Sequence, residues 1–279
     1  MRRVREQEPA RWRPAPSRAS GPPRPAVALS NHGLARLLQR DVNKLDPKQY
    51  KTFGEWVGAL PTGSWDDTAV NVTGEVRKSL PDLADLVDDL RADCADVTIL
   101  LRHYYLEQHG DKASVPGWDS TAKKPVSYPI GKGVTRKQLR NAVVNLGTIH
   151  FQERGKKTAI VDWYLDAKKQ PIKNLKQLLA AGLKEGDLLV WKKRAGIRGN
   201  FSGHVQTIKS LSSIIQAESE MKYVLDVVQG TMENGTAKGE IQTKMLSYEL
   251  LTGRRDGDGE ITFQPGGGEE EFYGAGRWK

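Results

Sequence analysis

The chain has 279 residues and a formal net charge of +9, with 43 Lys and Arg against 34 Asp and Glu. Only 38% of it is hydrophobic and 28% is charged, which suits one core with polar appendages better than several domains. No stretch approaches the ~20 apolar residues of a membrane-spanning helix. The single cysteine, Cys94, excludes an internal disulfide framework and a multi-cysteine metal site, so no cofactor or metal is expected.

Residues 1–40 hold nine arginines, no lysine and, as acids, Glu6 and Glu8 alone, with six prolines between Pro9 and Pro25. Such a segment buries too little apolar surface to offset its chain entropy, so 1–45 is expected to be a disordered basic leader. It supplies +7 of the net charge, nine arginines less two acids, and leaves the rest of the chain close to balance. Nucleic-acid binding needs basic residues interleaved with aromatics on a folded face, and only Trp12 interrupts this leader, so nucleic acid is not an expected partner. The arginines suit a signal-peptide n-region, but no apolar core of about 7–15 residues follows, so secretion through a cleaved signal is not expected. Within the leader, Val27 to Arg40 has Leu34, Leu37 and Leu38 at helical spacing, with Asn31 placed as a cap.

From Asp46 to Arg77 Phe53, Trp56 and Trp65 occur without a sustained period, which suggests an irregular flank. Leu80 to Leu90 reads as an amphipathic helix with Pro81 in its first turn, and a second helix runs from Cys94 to Gln108, with Asp93 in the N-cap position and Gly110 ending it. A Pro- and Gly-punctuated loop, 115–133, leads to a helix over 136–144. Candidate strands then follow over 148–153 and 158–164, a helix over 175–181, and strands over 186–191, 204–208 and 223–228. Helices first and an antiparallel sheet afterwards is an α+β order. The domain is placed at 46–252, with its core at 80–230. Residues 253–279, with eight glycines, read as a mostly flexible Gly-rich tail, whose Phe272, Tyr273 and Trp278 remain available to dock.

The chemistry centres on the thiol. An ordinary cysteine is a few per cent ionised at neutral pH, and a helix amino terminus and a neighbouring histidine are the usual means of activating it. Cys94 opens a helix, although Asp93 beside it opposes the anion. His103 and His109 lie about 13 and 22 Å along the same helix, His32 lies in the leader, and His150 has an unremarkable context. His204, after Ser202-Gly203 at a strand entrance, is the best base. A third group should orient the imidazole. Asp226 brings the stronger electrostatics and Gln229 the better position at a strand end, and strand alternation puts the two on opposite faces. Asp93 and Asp96 flank the thiol as candidate orienting residues. Asp187 is expected to cap its turn, and Trp118, Trp163 and Trp191 to line the core or a cleft.

Asp93-Cys94-Ala95-Asp96 opening a helix, then Gly186-Asp187-Leu188-Leu189-Val190-Trp191, then Ser202-Gly203-His204-Val205-Gln206-Thr207-Ile208, resembles the motif series of papain-like bacterial cysteine amidases of the NlpC and CHAP kind. Ala95-Asp96 stands where those families carry Ser-Gly, and the long Cys94 to His204 spacing implies an insertion around 112–165. The resemblance implies a papain-like helix packed on a small antiparallel sheet. It also implies Cys94 as nucleophile, His204 as general base and then acid, the Cys94 N–H as part of an oxyanion hole, and a peptidoglycan or peptide substrate. The leader is similar to those of cargo of bacterial extracellular contractile injection systems. That implies a cytoplasmic protein delivered by injection as an effector or toxin, with an injection-system component and an immunity protein as partners. A non-catalytic accessory or cargo protein with a degenerate papain-like fold is the alternative.

Overall fold

The computed structural model describes residues 45–62, 69–119, 122–153, 159–193, 203–215, 221–233, 236–246 and 270–279. All of them belong to one unit, residues 41–279. Positions 1–44 of the expected leader, with its helix over 27–40, and positions 253–269 of the expected tail lie outside the described residues, as do Trp65, Thr158 and Ser202, while Leu45, the leader's last residue, is buried in the core.

Seven strands form one antiparallel sheet at the centre of the molecule: β1 (Val70–Asn71), β4 (Val161–Trp163), β5 (Leu188–Lys193), β6 (Gly203–Ile215), β7 (Met221–Gln229), β10 (Gln242–Leu246) and β11 (Glu270–Trp278). Their spatial order is β1-β10-β7-β6-β5-β11-β4. Residues 188–191 of β5 read Leu-Leu-Val-Trp and are all buried, as a strand covered on both faces requires. On one face Leu188, Val190, Val205 and Val228 pack with α1 (Phe53–Ala59), α2 (Thr73–Ser79), α3 (Pro81–Asp89) and α4 (Cys94–His109). On the other, Leu189, Trp191, Val227, Phe272 and Ala275 pack with Tyr164, Ile172 and the helix α7 (Leu175–Ala180).

α4 is the helix around which the first face is built. Its residues from Cys94 to Leu106 are buried, with the exception of Arg102, and Gly110 closes it in the left-handed region at φ 76°. The smaller pieces are a hairpin of β2 (Lys112–Asp119) and β3 (Lys124–Gly131), the helix α5 (Arg136–Asn145), the single turn α6 (Thr148–Phe151) and the two-residue pair β8 (Met232–Glu233) and β9 (Thr236–Ala237).

The structure is α+β, and the helices expected over 80–90, 94–108, 136–144 and 175–181 are present. Four local expectations are corrected. The loop 115–133 is largely hairpin. Its prolines sit in a two-stranded ribbon, where a missing N–H is tolerated on the edges. The flank 46–77 contains α1 and α2, each seven residues long and too short to show a period. The strand expected over 148–153 is the turn α6. Thr148 and Ile149 favour a strand, but burial of Thr148 and Phe151 against α4 and β6 decides the conformation. The largest difference is in the tail: residues 270–278 form β11, inserted between β5 and β4. Here glycine serves close packing, since a Cβ on Gly276 would lie 2.4 Å from the Asp162 carbonyl oxygen.

Because Phe272 is 1% exposed and meets Trp191 edge-on at 5.1 Å, Phe272→Ala is expected to destabilise the fold by about 3–5 kcal/mol. Ile149→Ala, at a 62% exposed position, should stay within about 0.5 kcal/mol. Urea denaturation of both variants checks this, and equal midpoints would mean that the segment after 269 is not part of the sheet.

Candidate active site

Cys94 is the first residue of α4, and the start of that helix is held by a capping box. Asp93 Oδ1 accepts from the N–H groups of Ala95 at 2.9 Å and Asp96 at 3.1 Å, and Asp96 Oδ2 accepts from the Asp93 N–H at 3.0 Å. The Cys94 N–H takes no part in this box. The residue is 4% exposed, and its sulfur lies 3.6 Å from the Thr148 hydroxyl of α6 and near the backbone of Val205 in β6.

Burial, followed by the Asp93 carboxylate, pushes the Cys94 thiol up to about 12. The Thr148 hydroxyl and the Val205 N–H act in the opposite direction, and Asp96 adds to the rise. The helix amino terminus therefore does not deliver a resting thiolate, because burial and the Asp93 carboxylate outweigh it. Asp96 is itself pushed up to about 8, first by burial and then by Asp93.

His204 is half-buried on β6, and its Nε2 lies 2.8 Å from Gln229 Oε1 at the end of β7. The same oxygen accepts from Gln206 Nε2 at 2.6 Å, and Gln206 Oε1 accepts from the Trp191 indole N–H at 2.8 Å. Alternation along β6 turns Val205 and Thr207 toward α4, where the Thr207 and Thr98 hydroxyls lie 3.5 Å apart. His204 and Gln206 face the other side. Cys94 and His204 therefore approach the same peptide from two directions, the sulfur at the Val205 N–H and the imidazole on the preceding residue. Among the described residues no hydrogen bond joins Sγ to the imidazole.

Of the two candidates for the third position, Gln229 is beside His204 and Asp226 is not. Asp226 Oδ2 accepts from Lys209 Nζ at 2.8 Å in a buried ion pair, and Lys209 Nζ also donates to the Thr62 hydroxyl at 2.9 Å. The carboxylate is thus committed to a lysine, on the face its odd spacing from Gln229 assigns it. The other three described histidines have structural partners. His103 Nδ1 accepts the Gly131 N–H at 2.8 Å, and burial pushes this ring down to about 4, so it is neutral in the core. His109 Nε2 is 2.9 Å from the Pro47 carbonyl oxygen, and His150 Nδ1 is 3.3 Å from that of Gly147. Asp187 caps its turn, accepting from the Lys184 N–H at 2.9 Å and from the Tyr164 hydroxyl at 2.7 Å.

Sequence reasoning missed Thr148, Gln152, Gln206 and the polar role of Trp191. Thr148 covers the sulfur, and Gln152 Nε2 donates to the Trp191 carbonyl at 3.2 Å, close against Gly203. Gln206 carried a readable signal, since it lies two residues beyond His204 on the same strand face. Thr148 carried none, because α6 is a single turn whose placement is tertiary. A small cavity lined by Arg102, Val115, Ile130, Ile160 and Trp278 does not touch Cys94 or His204. Among the described residues no group of His, Cys, Asp and Glu is placed to hold a metal ion, and no helix is long and apolar enough to cross a membrane. No family model, curated protein or solved structure matches the chain.

The raised pKa of Asp96 gives a signed pH dependence. Its folded value, about 8, lies above the ordinary value of 3.8, so the folded state holds a proton that the unfolded chain releases. Stability from this source is complete below about pH 4 and is lost as pH rises through about 8. Asp96→Asn, which keeps an acceptor for the Asp93 N–H, should be more stable than the parent at about pH 9 and nearly equal to it at about pH 4. Chemical denaturation at the two pH values measures the difference, and an equal offset at both would contradict the assignment.

Proposed function

We propose that the protein is a cysteine hydrolase that cleaves amide bonds, with Cys94 as nucleophile, His204 as general base and then acid, and Gln229 orienting the imidazole. One observation carries the reading: Cys94 opens α4 beside Val205, the residue that follows His204 in β6, and the His204 Nε2 lies 2.8 Å from the buried side-chain amide oxygen of Gln229. That leaves Nδ1 as the ring nitrogen without a hydrogen bond among the described residues.

In the proposed cycle Sγ attacks the amide carbonyl carbon as its proton passes to His204 Nδ1. The oxyanion forms against the Cys94 N–H, outside the capping box. The C–N bond then breaks as the imidazolium returns the proton to the leaving amine. Water, deprotonated by His204, hydrolyses the thioester. Because the thiol rests near 12, its proton must leave during the attack rather than before it. Thr148 and α6 must also draw back, since they cover the sulfur, and the imidazole must turn toward α4 from the other face of β6. A bacterial peptidoglycan peptide as substrate, and delivery as an injected effector or toxin with an immunity protein, rest on the resemblance of the motifs and the leader.

The same burial favours a second reading, a non-catalytic accessory or cargo protein of an injection system that retains a degenerate papain-like fold. In that case Cys94 is a buried apolar residue beside the Asp93 and Asp96 carboxyl groups of the capping box.

Purified peptidoglycan and a general protein substrate, with products resolved by mass, separate the two readings and also distinguish hydrolysis from acyl transfer or deamidation. Cys94→Ala should abolish product formation. Asp226→Asn should cost on the order of 3 kcal/mol of stability, by leaving Lys209 buried without its partner charge, while kcat per folded molecule is unchanged. If the parent and Cys94→Ala give the same products on both substrates, the hydrolase reading fails.

A further inference from the structure

The hydrogen bonds around His204 form a chain with one direction. It starts at Trp191, whose indole nitrogen is a donor and never an acceptor. The Gln206 atom 2.8 Å from it must therefore be the carbonyl oxygen, which makes the other terminal atom of Gln206 the NH2 group. That group lies 2.6 Å from the terminal atom of Gln229, which must in turn be an oxygen. An amide oxygen only accepts, so His204 Nε2, 2.8 Å from it, must carry the hydrogen. In the neutral ring the lone pair is then on Nδ1.

The orientation of a side-chain amide is ordinarily ambiguous between O and N. Here the indole removes the ambiguity at one end of the chain. The chain is also protected from water: Trp191, Gln206 and Gln229 are 6%, 5% and 8% exposed. Burial makes reversal of any single link costly, because it would set two donors or two acceptors against each other. Trp191 is fixed in turn by Phe272 of β11, edge-on at 5.1 Å, so the chain of contacts crosses four adjacent strands on one face.

We propose that Trp191 and Gln206 are positioning residues that set the tautomer of His204, acting through Gln229 to keep Nε2 protonated and Nδ1 available as the base. This deepens the hydrolase reading and rests on it for its catalytic meaning, but the tautomer itself is observable without any substrate.

Two isosteric variants with the same added charge make opposite predictions. Gln229→Glu puts an acceptor where an acceptor already stands, so the ring stays Nε2–H. Gln206→Glu removes the donor to Gln229. Gln229 then turns its NH2 toward both the new carboxylate and His204, which forces the ring to accept at Nε2 and to carry its hydrogen on Nδ1. Two-bond ¹H–¹⁵N correlation spectra of the imidazole report the tautomer. They are recorded where the ring is neutral and where the ¹³C shift of the new carboxylate shows it ionised. The parent and Gln229→Glu should show Nε2–H, Gln206→Glu should show Nδ1–H, and Trp191→Phe, which frees Gln206 to turn, should show a mixture. On a cleaved amide substrate, Gln206→Glu should lose on the order of 100-fold in kcat with KM little changed, as expected when a general base is removed. An Nδ1–H ring in the parent, or an Nε2–H ring in Gln206→Glu with its carboxylate ionised, overturns the proposal even if the enzyme is active. The expected tautomers with no turnover by the parent would leave the chain's role on His204 standing and remove the hydrolase reading instead.

Discussion

β7 stops at Gln229, and the candidate site is arranged around that stop. The register that pairs Thr207 with Val228 would place Gly230 opposite Val205 if the strand continued. Instead the backbone of α4 occupies the space: a Cβ on Gly230 would lie 2.2 Å from the Asp93 carbonyl oxygen. Only glycine permits that approach. The Val205 N–H lies beside the Cys94 sulfur there and lowers its pKa. Gln229, the last residue of β7, has a buried side chain that reaches His204. The start of α4 thus meets the entrance of β6 where β7 ends, with Cys94 toward one face of the sheet and the His204–Gln229 pair toward the other.

The same start of α4 shows how stability and reactivity compete. The Asp93–Asp96 capping box satisfies helix N–H groups that would otherwise lack partners, and caps of this kind contribute about 1 kcal/mol. It does so by placing two carboxyl groups within reach of the thiol, and both raise its pKa. A helix amino terminus optimised for a thiolate would leave those donors to the sulfur. In this chain the helix is secured first, and the thiol is held in its neutral form by burial and by the carboxylate that caps it.

The residues in and around the candidate site differ in how legible they were in the sequence. α4 could be read because Asp93, Cys94 and Gly110 mark its ends and its apolar residues hold a helical period. β5 to β7 could be read from β-rich runs separated by glycine. Alternation alone separated Asp226 from Gln229, but it could not choose between them, because the choice depends on Lys209 reaching Asp226 from the neighbouring strand. β11 was hidden because glycine at 274 and 276 looks like a flexible tail when it in fact allows strands to pack closely. α6 was hidden because four residues show no period, and its place over the sulfur is decided by packing with α4 and β6.

The central claim is that the Cys94 sulfur and the His204 imidazole act on each other. The most direct measurement is the rate at which iodoacetamide alkylates Cys94 in the native protein, compared between the parent and His204→Asn under conditions where both remain folded. General-base assistance typically contributes about 10²–10⁴-fold, so the parent should react at least about tenfold faster. Equal rates in the two proteins, both limited by unfolding, would show that the sulfur is an inert part of the core.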